Sequence, residues 1–222
     1  VPERRLLHAG RDLPFQPALL DASFPGVRAE LTPLRERRDP ETELGRSPEH
    51  EGIKIVFRVL RKMCESLQSD HTLDFDHFEG ILEFFEIFVD KCHHGKEEDL
   101  LFPAMEQAGI PRQGPIEVML SEHTTGRGHI KAIRRKFTRF QSGDTAVSGA
   151  LADECEQYIL LMLDHIYKEN NILYPMGETR FTQETDEKLY QNFETLETER
   201  IGTGRHEAFH QMIDQLTQIY LE

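Results

Sequence analysis

Cysteine is scarce in this chain of 222 residues: Cys64, Cys92 and Cys155 are the only three, and no two of them form a C-x-x-C pair. An odd number without metal-binding or redox spacing requires no disulfide framework and fits a reducing compartment. Long apolar runs are lacking too. None approaches the roughly 18 to 20 residues of a membrane span, and the N-terminus has no apolar signal-peptide core, so a cytoplasmic location is expected. Positive charge is in deficit, with 26 Lys and Arg against 40 Asp and Glu and a formal net charge of -14. That balance repels nucleic acid and anionic membrane surfaces, and leaves small neutral ligands or cations as the expected partners. Nowhere does the strict alternation of a half-buried strand appear, so the fold class is all-α.

What the chain does contain is helical periodicity. Residues 1–46 are the exception: Pro2, Pro14, Pro17, Pro25, Pro33 and Pro40 interrupt them, and no helical period persists. This extension suits an arm, with Leu13, Phe15, Leu19, Leu20 and Phe24 packed on the body or on a second copy in a homodimer, and equally a disordered tail. Ser47 and Pro48 then make an N-cap and first helical residue. A stripe of His50, Ile53, Phe57, Leu60, Cys64 and Leu67 follows. A second helix is expected from about Leu73 to Ala108, with Leu82, Phe85, Val89, His93, Glu97 and Leu100 on one face. Gly109 to Pro115 reads as loop. The third helix carries Ile116, Met119, His123, Arg127, Ile130 and Phe137. After a turn at Ser142, Gly143 and Asp144, the fourth carries Cys155, Tyr158, Met162, His165, Glu169 and Ile172 before Pro175. Helical patterns over about 184 to 200 and 204 to 221 close the chain. The expected organisation is an extension (1–46), an up-down four-helix bundle (47–180) and a C-terminal helical extension packed on it (181–222).

Two stretches carry chemistry. HHGKEEDLLFP at 93–103 and HIYKENNILYP at 165–175 align at a constant offset of 72, sharing His, Lys, Glu and a terminal Leu-aromatic-Pro. SPEHEG around His50 and LSEHTTG around His123 share Glu-His at an offset of 73. The chain therefore reads as a duplicated helix pair. Each half supplies one histidine from its first helix and a His-x-x-x-Glu, one turn apart on one face, from its second. Imidazole and carboxylate together suit iron, manganese or zinc, and inward histidines and carboxylates on facing helices are the usual cradle of a two-metal site. A closed structural zinc site wants about four ligands. Six, divided evenly between two halves, point to two metals.

These motifs, with GPIEVMLSEHTTGR and DHIYKENNILYP, resemble the hemerythrin-like (HHE cation-binding) family over about residues 47 to 176. The resemblance implies a four-helix bundle around a non-haem di-iron centre, two iron ions bridged by oxo or hydroxo, that binds oxygen or nitric oxide. It also brings in related iron-centre repair proteins with a similar motif. It assigns His50, His93, Glu97, His123, His165 and Glu169 as ligands, both glutamates being candidate bridges. Oxygen-carrying hemerythrins have a further histidine where Arg127 stands, and an aspartate at five residues where Glu169 stands at four. A less histidine-rich and more symmetric centre is therefore expected.

Other residues carry weaker expectations. Tyr158, two turns before His165, donates a hydrogen bond to a bound ligand or lines the core. Arg127, one turn after His123, holds an anionic adduct or forms an ion pair at the bundle end. His94, 100° around the helix from His93, is expected to face water or an outer acid. His77 and His129 point away, His8 and His71 lie in loops, and Glu86 sits at the solvated bundle seam. His206 and His210, spaced H-x-x-x-H, are expected to pack the terminal helix. Binding of a diatomic ligand for sensing, storage or detoxification is the first functional expectation, with electrons from a partner protein. Peroxide reduction or iron donation for repair of iron-sulfur centres is the second, and a structural metal tie the third.

Overall fold

A computed structural model describes residues 48–222; the extension, Ser47 and His8 lie outside the described residues. The described residues form six helices: α1 (Pro48–Asp70), α2 (75–107), α3 (Glu117–Gln141), α4 (148–178), α5 (Gln183–Arg200) and α6 (Arg205–Tyr220). No strand occurs among them. Helix α1 packs along α4, α3 along α4, and α2 against α1 and α3, while α6 lies on α1 and α2 and α5 on α2. The connections are short enough to make successive helices antiparallel. His50 and His123 lie early in their helices, whereas His93 and His165 come late, so the alternation brings all four to one end of the bundle.

Local chemistry sets the helix ends. Asp74 accepts a hydrogen bond from the His77 backbone N–H at 2.9 Å, so α2 starts at Phe75 rather than at Leu73. Positive φ at Gly109 (86°) and Gly143 (97°) closes α2 and α3, a conformation that glycine reaches without a Cβ clash.

The larger departure from the sequence reading lies inside α2 and α4. Phe84–His94, Glu97–Leu101 and Glu169–Leu173 are π-helical, with i to i+5 turns. Pro103 and Pro175 follow the last two, and each removes a helical N–H while its ring crowds the carbonyl four residues back; a widened turn relieves both. Helix α4 accordingly continues through Pro175 to Glu178. Each wide turn also advances the register by one residue. Leu101 and Leu173 are therefore buried where Leu100 and Ile172 were expected, and Ile172 is left exposed.

The core has two parts. One contains Phe57, Phe78, Phe84, Phe85, Phe137 and Ile159, joined by Phe209, Ile213 and Leu216 of α6. The other contains Leu101, Phe102, Met105, Ile116, Met119, Leu173, Tyr174 and Leu189. On α2, α3 and α4 the charged residues fall between the two: His93 lies between Val89 and Leu101, His123 between Met119 and Ile130, and His165 between Met162 and Leu173. The site is thus a polar layer clamped between apolar ones.

Candidate metal centre

His50, His93, Glu97, His123, His165 and Glu169 are all buried, none more than 4 % exposed. They converge in one place. Glu169 spans it, with Oε2 3.2 Å from His50 Nε2 and Oε1 2.8 Å from His165 Nε2. Glu97 Oε2 stands 3.3 Å from His123 Nε2 and 3.9 Å from His93 Nε2.

A seventh group joins them. His94 is buried, stacks on His123 with ring centroids 3.8 Å apart, and has both ring nitrogens without a hydrogen-bond partner. Of the two expectations for His94, water is corrected, because the angle of 100° per residue does not hold in the π-helical stretch that His94 ends, whereas an outer acid, Asp90, does stand 3.7 Å from its Nδ1, beyond hydrogen-bond reach. The potential ligand atoms fall into two groups, His94, Glu97, His123 and His165 in one, and His50, His93 and Glu169 in the other.

Outer partners fix each imidazole. His93 Nδ1 donates to Glu49 at 2.7 Å, and His165 Nδ1 to Glu122 at 3.0 Å. His123 Nδ1 donates to Glu98 at 2.7 Å, and His50 Nδ1 to the Asn170 side-chain oxygen at 2.8 Å. Lys96 Nζ holds Glu49 (2.8 Å) and Glu197 (2.7 Å), and Lys168 holds Glu122. With Nδ1 as the N–H, every Nε2 in a neutral ring carries its lone pair inward. Two pairs of these atoms, His50 with His93 and His123 with His165, stand 3.1 Å apart. Two lone pairs at that distance repel unless a cation lies between them.

The charge balance makes the same demand. Glu97 Oε2 and both oxygens of Glu169 have no hydrogen-bond partner, although imidazole nitrogens lie close by. These groups aim at common points rather than at one another. A buried carboxylate without compensation costs several kcal/mol. In the metal-free protein, protons supply the cation. Burial opposes charging of His123, but Glu169, Glu97 and Glu98 outweigh it and raise the ring to about 11. His165 is raised to about 9, where Glu169 and Glu122 overcome burial. Burial likewise disfavours an ionised Glu169, yet His165, His123 and His50 hold it well below the usual carboxylate range. His94, by contrast, is driven well below the usual imidazole range by burial and by its neighbours His123 and His93, so it is neutral and a ready nitrogen donor. Carboxylate and imidazole donors, unpaired and convergent, fit a metal such as iron.

The remaining expectations divide. Tyr158 is buried in the core, edge-on to Phe57 and Phe85 at 5.9 and 5.0 Å. The tyrosine hydrogen-bonded to a site carboxylate is Tyr174, whose hydroxyl donates to Glu97 Oε1 at 2.7 Å while its ring stacks on His50 at 5.7 Å. Burial and the charges of Glu169 and Glu97 push its pKa well up, which keeps it a neutral donor. The Arg127 guanidinium is engaged by Asp90 (2.6 Å) and Glu98 (2.8 Å), so it reaches the centre only through Glu98 and His123. Glu86 is ion-paired to Arg134 at 2.7 Å. His77 bonds Tyr220, His129 bonds Glu154 and His71 bonds Ser148. His206 stacks on His210 and bonds Glu197, the acid that also holds Lys96.

The offset of 72 to 73 pairs most of the site: Glu49 with Glu122, Lys96 with Lys168, Glu98 with Asn170, and Phe102, stacked on His123, with Tyr174. That repeated Glu-His and Lys-Glu pattern was the available signal for the outer partners. The symmetry expected of the centre is nevertheless incomplete, because His94 is matched by Ile166 and Tyr174 by Phe102.

Comparison with known proteins agrees with this architecture. Uncharacterised proteins of Mycobacterium tuberculosis and Mycobacterium bovis are each 22 % identical over 171 residues, 77 % of this chain and 66 % of theirs. The iron-sulfur cluster repair protein YtfE of Escherichia coli O157:H7 is 34 % identical over 86 residues, 37 % of this chain and 39 % of its own. The chain thus spans just under two thirds of the mycobacterial relatives and well under half of the repair protein. No solved structure matches. The model of the hemerythrin HHE cation-binding domain matches residues 47–177, enclosing every residue of the two groups described above, and the chain belongs to that family.

Proposed function

We propose that this protein is a hemerythrin-like non-haem di-iron protein, located in the cytoplasm, that binds a small diatomic ligand, oxygen or nitric oxide, for sensing, storage or detoxification. One observation carries this reading: seven buried imidazoles and carboxylates form two groups, and five of their ligand atoms have no hydrogen-bond partner. Iron held there would supply a redox-active Lewis acid. The chain's part is to orient and to exclude. Glu49, Glu122, Glu98 and Asn170 fix the four imidazoles, Glu169 spans both groups, and the flanking apolar layers keep bulk water and charged solutes from the interior.

The test is iron analysis of the protein loaded without air, with optical spectra before and after reduction and on addition of nitric oxide or oxygen. About two iron ions per chain and a reversible spectral change on ligand addition are expected. A spectrally inert zinc centre would refute the reading.

A second reading is favoured by the similarity to a protein named for iron-sulfur cluster repair. In it the same centre donates iron or reduces peroxide. Iron transfer from the loaded protein to an iron-depleted cluster protein, or turnover of peroxide, would support it over reversible binding.

A further inference from the structure

We infer that the C-terminal helix pair is a working part of the metal centre: Glu197 and Arg200 of α5 are positioning residues that hold His93, through Lys96 and Glu49, and the turn of α2 that carries His93 and Glu97. This rests on the metal-binding reading above and deepens it by adding to the centre two residues that lie beyond the matched family domain, which ends at residue 177.

Each half of the duplicated chain sets a lysine behind one histidine. Lys96 holds Glu49, the partner of His93, and Lys168 holds Glu122, the partner of His165. Each lysine also grips a second acid, and the source of that acid differs. Lys168 finds it one turn back on its own helix, with Asp164 at 2.6 Å. The residue one turn before Lys96 is Cys92, a buried thiol and not an acid. Glu197 of α5 takes its place, with Oε2 2.7 Å from Lys96 Nζ. The other oxygen of Glu197 accepts from His206 of α6, whose ring stands edge-on to Phe88 of α2 at 5.3 Å. Burial opposes ionisation of Glu197, but His206 and Lys96 outweigh it and hold the carboxyl below its usual range. A lysine held by charge on two sides is fixed in place, and it fixes in turn the carboxylate that orients His93.

Arg200 holds the same turn from outside. Gly95 is buried between His94 and Lys96, and a Cβ on it would collide with the Arg200 guanidinium, so the missing side chain is what admits that group. Seated there, Arg200 donates to the Lys91 backbone carbonyl at 3.3 Å and pairs with Asp99. The two contacts bracket the ligands, since Lys91 precedes His93 and Asp99 follows Glu97. At the offset of 72 the mate of Gly95 is Tyr167, 62 % exposed, and the mate of Asp99 is Asn171. The clamp is therefore an addition made by α5 and not part of the repeat.

Metal-free full-length protein would be loaded with cobalt(II) without air, its visible absorption recorded, its affinity measured by equilibrium dialysis, and the metal-free form unfolded in urea. Glu197→Gln keeps the size of the side chain and removes its charge. It should shift the cobalt absorption bands and weaken binding by about 2- to 30-fold, the scale on which residues that do not touch a ligand modulate its binding. Gly95→Ala leaves every acid in place and displaces Arg200; it should act in the same direction, and should add nothing in an Arg200→Ala background. Arg205→Ala breaks the exposed pair with Glu83 at the same interface and should change neither bands nor affinity. Circular dichroism checks the fold of each variant, and because Glu197→Gln and Gly95→Ala disturb different contacts, either one remains readable without the other. Contacts that only stabilise the fold would lower the urea midpoint and leave the bands where they are. Native bands and affinity in Glu197→Gln or in Gly95→Ala would overturn the role given to Glu197 or to Arg200, and an equal shift in Arg205→Ala would overturn both, while leaving a metal-binding bundle. No cobalt bound by the native chain would remove the metal-binding reading and this inference with it.

Discussion

Replacing Tyr174 by phenylalanine deletes one oxygen and leaves the ring that stacks on His50. The deleted hydroxyl donates at 2.7 Å to Glu97 Oε1, and both side chains are buried, so no solvent replaces it. A hydrogen bond to a charged group is worth about 1.5–3 kcal/mol. At roughly 2–4 °C per kcal/mol for a folded unit of this size, the melting temperature of the metal-free protein should fall by about 3–12 °C. Tyr174→Ala should cost more, about 3–5 kcal/mol for the lost ring on top of the bond. Calorimetry or thermal circular dichroism on protein treated with chelator reads both. A midpoint for Tyr174→Phe within about 1 °C of the native one would mean that Glu97 does not depend on this hydroxyl, and would refute the assignment of Tyr174 as the group that holds it.

Removing an inner imidazole, by His93→Ala or His165→Ala, should lower bound iron from about two per chain; unchanged iron by metal analysis would discard these residues as ligands. Truncating an outer acid, Glu49→Ala, should weaken metal binding by about 10- to 100-fold without changing which atoms ligate, as read by competition with a coloured chelator. Arg127→Gln breaks ion pairs that are a third exposed, so it should cost less than about 1 kcal/mol in urea unfolding and spare metal content. The metal-free protein should also have a defined pH optimum. Folded values of about 11 for His123 and about 9 for His165 lie above the usual 6.5, so their stabilisation is full below pH 6.5 and is lost as pH climbs through 9 and 11. Glu169 is shifted the other way, so its contribution is present above pH 4.5 and is lost as pH falls below that. Urea unfolding across pH should peak between about 4.5 and 6.5, and bound metal should reverse the alkaline loss because deprotonated rings are its ligands.

Periodicity and repetition carried much of this in the chain itself. Apolar residues at three- and four-residue spacing marked the helices, Gly109 and Gly143 marked their ends, and the repeated His-x-x-x-Glu with its Leu-aromatic-Pro tail singled out six residues that lie together in the folded molecule. Such features are local: they depend on neighbours one turn away, which a sequence displays directly. His94, Tyr174 and the orientation of Arg127 were decided elsewhere. The π turns re-aim side chains by a residue, so helix-angle arithmetic sent His94 outward when it points in. The Tyr174 hydroxyl meets Glu97 across 77 residues of chain, and Arg127 is turned away by Asp90 and Glu98 from another helix. Spacing along a chain determines which residues share a face; only the packing of one helix on another settles which atom faces which.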